Sequence, residues 1–320
     1  MIDKGHEAAD REIERITKEL HKLYSESADE LGKEWKDYLM RSEKQRKELY
    51  KRISEAATPE DRRAARQAYN DFMRYRTTMD SRYRSMTENL AEQISNVNEQ
   101  AAGIVNGHMP RVYAENWNYS GKNIELQTGA AVRFDIINPH TVEELVKTEA
   151  NFFPKYYINR PRDVAWNIQN VNSAVAKGII KGDSIPKITA RLKDVVGMNE
   201  VASVREARTI TTSVENQARM DTAHEAQEKG VIMKKVWYCT HDSRTREWHV
   251  QADRDYHADS KAIDIDEPFI VGGEDMMYPG DPNGSPENVY NCRCTTAHVI
   301  KGFTSILPPE KRGKIRVTFG

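Results

Sequence analysis

Apolar residues return at three- and four-residue steps through most of this chain. From about Ala8 to Ala57 the series Ile13, Ile16, Leu20, Leu23, Ala28, Leu31, Trp35, Tyr38, Leu49 and Ile53 draws one stripe along a helix. Glu and Lys fill the other positions, many at i,i+4 spacing, and read as a solvated face. Thr58-Pro59-Glu60-Asp61 restarts the helix, with Thr58 as cap, Pro59 in the first turn and Asp61 as the reciprocal acid. The second stripe runs through Ala65, Ala68, Phe72, Met79, Tyr83, Met86, Leu90, Ile94, Val97, Ala101 and Ile104, close to a heptad seam. A short turn between two long helices predicts an antiparallel, coiled-coil-like hairpin. Asn106-Gly107-His108-Met109-Pro110 is expected to end it.

The pattern then loosens. Residues 116–138 carry turn formers around the β-favouring Ala131-Val132-Arg133-Phe134-Asp135-Ile136-Ile137, which predicts an excursion with one hairpin. Helix resumes at Thr141, breaks at Pro154 and Pro161, and runs from Arg162 to Lys177. The segment from Gly178 to Pro186 supplies a C-cap, a turn and a new N-cap. Asn199 to Lys229 predicts another long helix, closed by Gly230. Arg205, Arg208, Thr209, Thr212, Asn216 and Arg219 lie along it, several on one face directed at something polar. Val231 to Tyr238 alternates and is aromatic, as a strand does.

Composition narrows the classes. Of 320 residues, 30% are charged and the net charge is −1, with a mean hydropathy of −0.77. That polarity suits elongated helices better than one large core. Near-neutral charge removes a global case for nucleic-acid binding, leaving only local, non-specific DNA contact. Seven arginines from Arg62 to Arg84 face Asp71 and Asp80, and ten acids from Asp253 to Glu287 face Arg254 and Lys261. The Gly and Pro residues of this acidic stretch predict turns rather than a packed core. The expectation is that DNA meets the arginine face or the basic tail, where Lys301, Lys311, Arg312, Lys314 and Arg316 gather. Three cysteines make no disulfide framework and fit a reducing compartment. The N-terminus has no apolar leader, and no apolar run reaches the roughly 20 residues of a membrane span. No membrane contact is expected, and cytoplasm is the expected site of synthesis.

The remaining chemistry is concentrated between Trp237 and His298. Trp237-x4-Asp242-x-Arg244-Thr245-Arg246-x2-His249 opens this cassette; Pro279-Gly280-Asp281-Pro282 and Asn291-Cys292-Arg293-Cys294 close it. These islands, in this order, resemble the C-terminal signature of phage minor head proteins, the Mu F-like or SPP1 gp7-like head morphogenesis family. The resemblance runs back through Arg205 to Gly230. One departure is local: members carry an Asp-Gly soon after the histidine, where this chain has Asp253-Arg254-Asp255, so no turn geometry is carried over there. The family implies a minor capsid protein of a tailed phage or prophage. It implies partners in the portal and in other capsid or scaffolding proteins. It implies a place in the capsid interior near the portal vertex, and a role in procapsid assembly, DNA packaging or ejection, without catalysis.

The expected fold is therefore mainly α with a small C-terminal α+β cassette. A long N-terminal antiparallel helical hairpin covers 1–107, a mixed, mostly helical middle 108–198, the Mu F-like domain 199–300, and a basic extended tail 301–320. Three chemistries suit the cassette. The first is a structural knot in which Asp242 pairs with Arg244, Arg246 and Arg293, with Arg208 reaching in from the preceding helix. The second is zinc held by His249, Cys292 and Cys294, with Cys239, His257 or His298 as the fourth ligand. Related phage cassettes carry extra cysteines where this chain has Arg246 and His249, a pattern of metal binding. The third is catalysis, through a divalent ion at Asp242, His249 and His257 in a DNA-processing enzyme, or through Cys292 or Cys294 activated by His249. The first leads, and no cofactor is required by it.

Overall fold

A computed structural model describes residues 3–77, 81–149, 151–181 and 183–304. It is 70% helical with a small C-terminal sheet region. Helix α1 spans Lys4–Glu55, α2 Pro59–Thr77, α3 Ser81–Gln127, α4 Pro139–Thr148, α5 Arg160–Ile180 and α6 Ile185–Glu228. Strand β1 (Val231–Tyr238), α7 (Glu247–Tyr256), β2 (Ile263–Asp264), β3 (Phe269–Val271), β4 (Glu274–Met276), α8 (Pro286–Val289) and β5 (Thr295–Phe303) follow. The chain forms two compact units. One takes residues 20–101 and 157–202; the other takes 1–19, 102–156 and 203–320.

In the first unit Leu20, Leu31 and Trp35 of the expected stripe are at most 5% exposed; Tyr24 and Leu39, outside that stripe, are buried with them, while Leu23, Ala28, Tyr38, Leu49 and Ile53 are half-buried. The antiparallel pairing is visible in cross-helix bonds, Tyr24 to Asn98 and Gln93 to Glu34, with the Tyr50 and Tyr69 rings meeting edge to face nearer the turn. Thr58 accepts from the Asp61 amide and donates to its carboxylate, so the cap read from sequence forms. A buried amide network fixes the register. Asn98 donates to Asn199 and Asp163, and Asn199 donates to Asn167. Such a polar cluster selects one alignment of otherwise slidable apolar seams.

The second unit corrects four expectations. Helix α3 does not end at 106–110 but runs through Pro110 to Gln127. Proline removes one helix hydrogen bond, yet Val105, Met109, Val112, Tyr113 and Ala114 are buried to 3% or less, and that packing outweighs the loss. No hairpin forms at 131–137; the segment is extended and unpaired to any strand. Side chains of α3 take its backbone groups instead: Glu125 accepts from Phe134 N–H, and Asn118 bonds both the N–H and the carbonyl of Ile137. Helix α6, which starts at Ile185 after the cap read there in the other unit, runs unbroken through Gly197 to Glu228, so no separate helix begins at Asn199. The acidic stretch is also not mere turns: Ile265, Phe269, Val271 and Met276 are fully buried, while its acids mostly face outward.

The sheet is antiparallel in the order β2-β1-β5, with β3 and β4 as a separate hairpin. Val231, Met233 and Ile300 pack with Met220, Ala223 and Ala226 of α6 and Ile124 of α3 in one core. Trp237, Cys239, Cys292 and Cys294 join Ala252 of α7 and the β3–β4 hairpin in a second. Beyond Lys301, which lies in β5, the basic tail from 305 falls outside the described residues.

Candidate functional site

The polar face of α6 is the foundation of the cassette. Thr209 Oγ1 accepts from the Asn291 amide at 3.0 Å, and Thr212 Oγ1 donates to the Cys292 carbonyl at 2.7 Å. Asn216, fully buried, donates to the carbonyls of Pro279 and Cys294 and accepts from the Thr296 amide at 2.7 Å. Arg219 donates to the Thr296 carbonyl and to both oxygens of Asp3. The spacing 209, 212, 216, 219 places four side chains on one side of a helix, and each meets the strand-like segment 291–296. Asn291 takes a left-handed backbone, φ 54°, which asparagine tolerates better than most residues. Gly280, φ 80°, lets the Pro-Gly-Asp-Pro turn lie on α6, where a Cβ would meet Ser213 N at 3.1 Å. Asp281 then closes that turn by accepting from the Met277 and Asn283 amides.

Above this foundation sits the charged knot. Arg293 bonds Asp242 through both terminal nitrogens, at 2.5 and 2.6 Å. Asp242 also accepts from the Arg244 amide and the Thr245 hydroxyl, an Asx turn. The Arg293 bonds, with these two, hold the Asp242 carboxyl well below the ordinary carboxylate range. Arg244 is mostly exposed and reaches Asp242 at 3.5 Å. Arg246 turns away, donating to the Tyr290 carbonyl at 2.5 Å. Arg208 makes no hydrogen bond or ion pair among the described residues; the arginine that reaches in from α6 is Arg219. Trp237 lies fully buried in the core, edge-on to His249 and Phe269.

His249, Cys292 and Cys294 are brought together and are 2% exposed or less. His249 Nδ1 lies 3.3 Å from Cys294 Sγ and 3.7 Å from Cys292 Sγ. Asn288, which no sequence signal marked, orients the ring. Its Nδ2 donates to the Val271 carbonyl, so its Oδ1 faces Trp248 Nε1 at 2.6 Å and His249 Nε2 at 3.3 Å. The Cys294 sulfur and His249 hold Cys292 below the ordinary thiol range, against burial, while the Cys292 sulfur and burial push Cys294 up. Cys239 belongs to a second group, with its sulfur 3.5 Å from His241 Nδ1 and His241 Nε2 3.2 Å from Asp253. Burial pushes the Cys239 thiol up, away from the thiolate a nucleophile needs. His257 bonds the Asp253 carbonyl, and His298 Nε2 is buried with no partner among the described residues. Asp242, His249 and His257 are thus each engaged elsewhere, and both cysteines facing His249 are closed to a substrate.

Sequence reading missed a further cluster beneath the knot. Arg219 and Glu215, 2% and 1% exposed at the side chain, pair at 3.1 Å. His6 of α1 sits 2.9 Å from Glu215, and Thr295 donates to the same carboxylate. Glu215 is held low by His6 and Arg219 although burial opposes its charge. The only sequence signal was the polar face of α6; nothing near His6 indicated a partner 209 residues away.

Residues 169–297 match the family described as Phage Mu protein F like protein. Over that segment the chain is similar to the Mu F-like proteins, and it resembles the phage minor head proteins. The minor head protein GP7 of Bacillus phage SPP1 is 26% identical over 216 residues, 66% of this chain and 65% of that protein. An NAD(+)–arginine ADP-ribosyltransferase, EFV, of Enterococcus faecalis is 30% identical over 146 residues, 46% of this chain but 28% of that enzyme. The uncharacterized protein YqbB of Bacillus subtilis is 27% identical over 151 residues, 46% of each chain. The chain thus spans between about a quarter and two thirds of the length of these relatives. No solved structure matches it. No helix among the described residues is long and apolar enough to cross a membrane.

Proposed function

We propose that this chain is a minor capsid protein of a tailed phage or prophage that docks at the portal vertex inside the head and acts in procapsid assembly, DNA packaging or ejection. The observation that carries this reading is the convergence of the Mu F-like motifs on one connected structure. Asp242, Arg293, the Asn-Cys-Arg-Cys turn and the Pro-Gly-Asp-Pro turn are all tied to one face of α6. Such a knot holds loops in a fixed shape without a large core, as a docking module requires and as catalysis does not. The segment from Asp253 to Glu287 carries a formal charge of −8 from ten acids and two bases, which repels phosphates and suits a basic protein surface. DNA contact is assigned to the arginine face, of which Arg62, Arg63, Arg66 and Arg84 are exposed; the side chains of Arg74, Arg76 and Arg82, like the tail, lie outside the described residues.

The test is capture of the cognate portal by the purified protein, beside mass spectrometry of procapsids and virions. Portal capture that survives neutralising Arg62, Arg63, Arg66 and Arg84, while DNA retention and its salt dependence fall, is the expected result. Absence from procapsids, or heads that assemble and package normally without the protein, would overturn the reading.

A further inference from the structure

The geometry points to a buried metal centre in which His249 Nδ1, Cys292 Sγ and Cys294 Sγ bind one thiophilic cation of the zinc type. Three independent features converge. First, the donor spacing fits. Zinc with nitrogen at 2.0–2.1 Å and sulfur at 2.3 Å in a tetrahedral arrangement has nitrogen–sulfur edges of about 3.6 Å. The two edges here are 3.3 and 3.7 Å, and all three donor atoms lie within 4.8 Å of one another.

Second, the imidazole is oriented as a ligand. The Asn288 amide is fixed by its bond to the Val271 carbonyl, so the oxygen it turns to His249 accepts a proton from Nε2. That places the proton on Nε2 and leaves the Nδ1 lone pair aimed at the two sulfurs. A second residue that sets tautomer and ring angle is a regular companion of metal-bound histidine. Third, the fully buried Trp237 Nε1–H has no hydrogen-bond partner among the described residues, and its ring shares one core with Cys292 and Cys294 and stands edge-on to His249 at 5.6 Å between centroids. An unpaired buried donor costs free energy; a metal-bound thiolate in that core gives it a lasting negative charge to face. Among the described residues no fourth His, Cys, Asp or Glu joins the group, so the centre has three protein donors and its last position goes to a small ligand. Binding releases the remaining thiol protons to solvent.

The full-length protein, stripped with chelator, is titrated with cobalt(II) and then with zinc. The expected result is one equivalent of cobalt bound with a sulfur-to-cobalt charge-transfer band, displaced by zinc, and a melting temperature that rises with zinc. Cys239→Ser keeps the band. The Cys292→Ser/Cys294→Ser double variant loses it, and His249→Cys, which restores a donor, keeps it. Should the serine variant fail to fold, the wild-type band and zinc-dependent melting still decide. A folded wild-type chain that shows no charge-transfer band and no zinc-dependent melting overturns the proposal. So does a band abolished by Cys239→Ser alone, which would move the metal to the Cys239–His241–Asp253 group.

Discussion

Raising the pH should weaken the unit that carries the cassette through a single histidine. His6 is 3% exposed, with Nδ1 2.9 Å from each oxygen of Glu215. Burial opposes its charge, but the charge and hydrogen bond of Glu215, helped by Asp10, outweigh burial and push His6 from 6.5 up to about 9. A group more basic in the folded than in the unfolded chain binds its proton preferentially when folded. Its contribution is therefore complete below pH 6.5 and is lost as the pH rises through 9. The difference converts to roughly 3 kcal/mol. Lys235 works in the opposite sense: burial pushes it from 10.5 down to about 8, so folding gains between those values as the pH rises. The raw profile mixes the two, and the informative quantity is the gap between the wild type and His6→Gln. In urea unfolding followed by circular dichroism, that gap should narrow by roughly 3 kcal/mol between about pH 6 and about pH 9.5. Glu215 stays ionised throughout, being held low. A gap that is constant over this range refutes the assignment of His6 as a buried imidazolium.

Other consequences are as direct. Asn216→Ala orphans the Thr296 amide and takes the Asn216 donor from the Pro279 and Cys294 carbonyls, so it should cost roughly 2–4 kcal/mol in urea unfolding; a loss within error would mean that water replaces the side chain. Asp242→Asn should lower the melting temperature and flatten its acid limb. Asp242 is held below its ordinary 3.8, so its contribution is whole above about pH 4 and fades as the pH falls; an unchanged acid limb would place the Arg293 pair outside the folding balance. Trp35→Ala, at a fully buried site in the hairpin, should cost about 3–5 kcal/mol, and amide exchange should quicken along α1 and α3.

The sequence by itself determined what depends on local chemistry and short spacings. The Thr58 cap, the closing Gly230 and the Val231–Tyr238 strand are settled within a few residues of each other and form as the pattern indicates, and the apolar stripes give the helices, though not every position that is buried on them. The same holds for the Asp242–Arg293 pair, which forms two bonds as its residue types indicate. Tertiary structure decided the rest, where burial outweighed a local preference. Pro110 reads as a helix end but sits inside α3, because the apolar face on either side of it is buried. The β-favouring 131–137 segment finds its hydrogen-bond partners in Glu125 and Asn118, so no second strand is needed. Arg208 and Arg219 lie on the same helix; only the fold showed that Arg219 is the one facing Asp3 and Thr296. Asn288 could not be singled out in advance, since an amide that sets the tautomer of His249 has meaning only once Val271, Trp248 and His249 surround it.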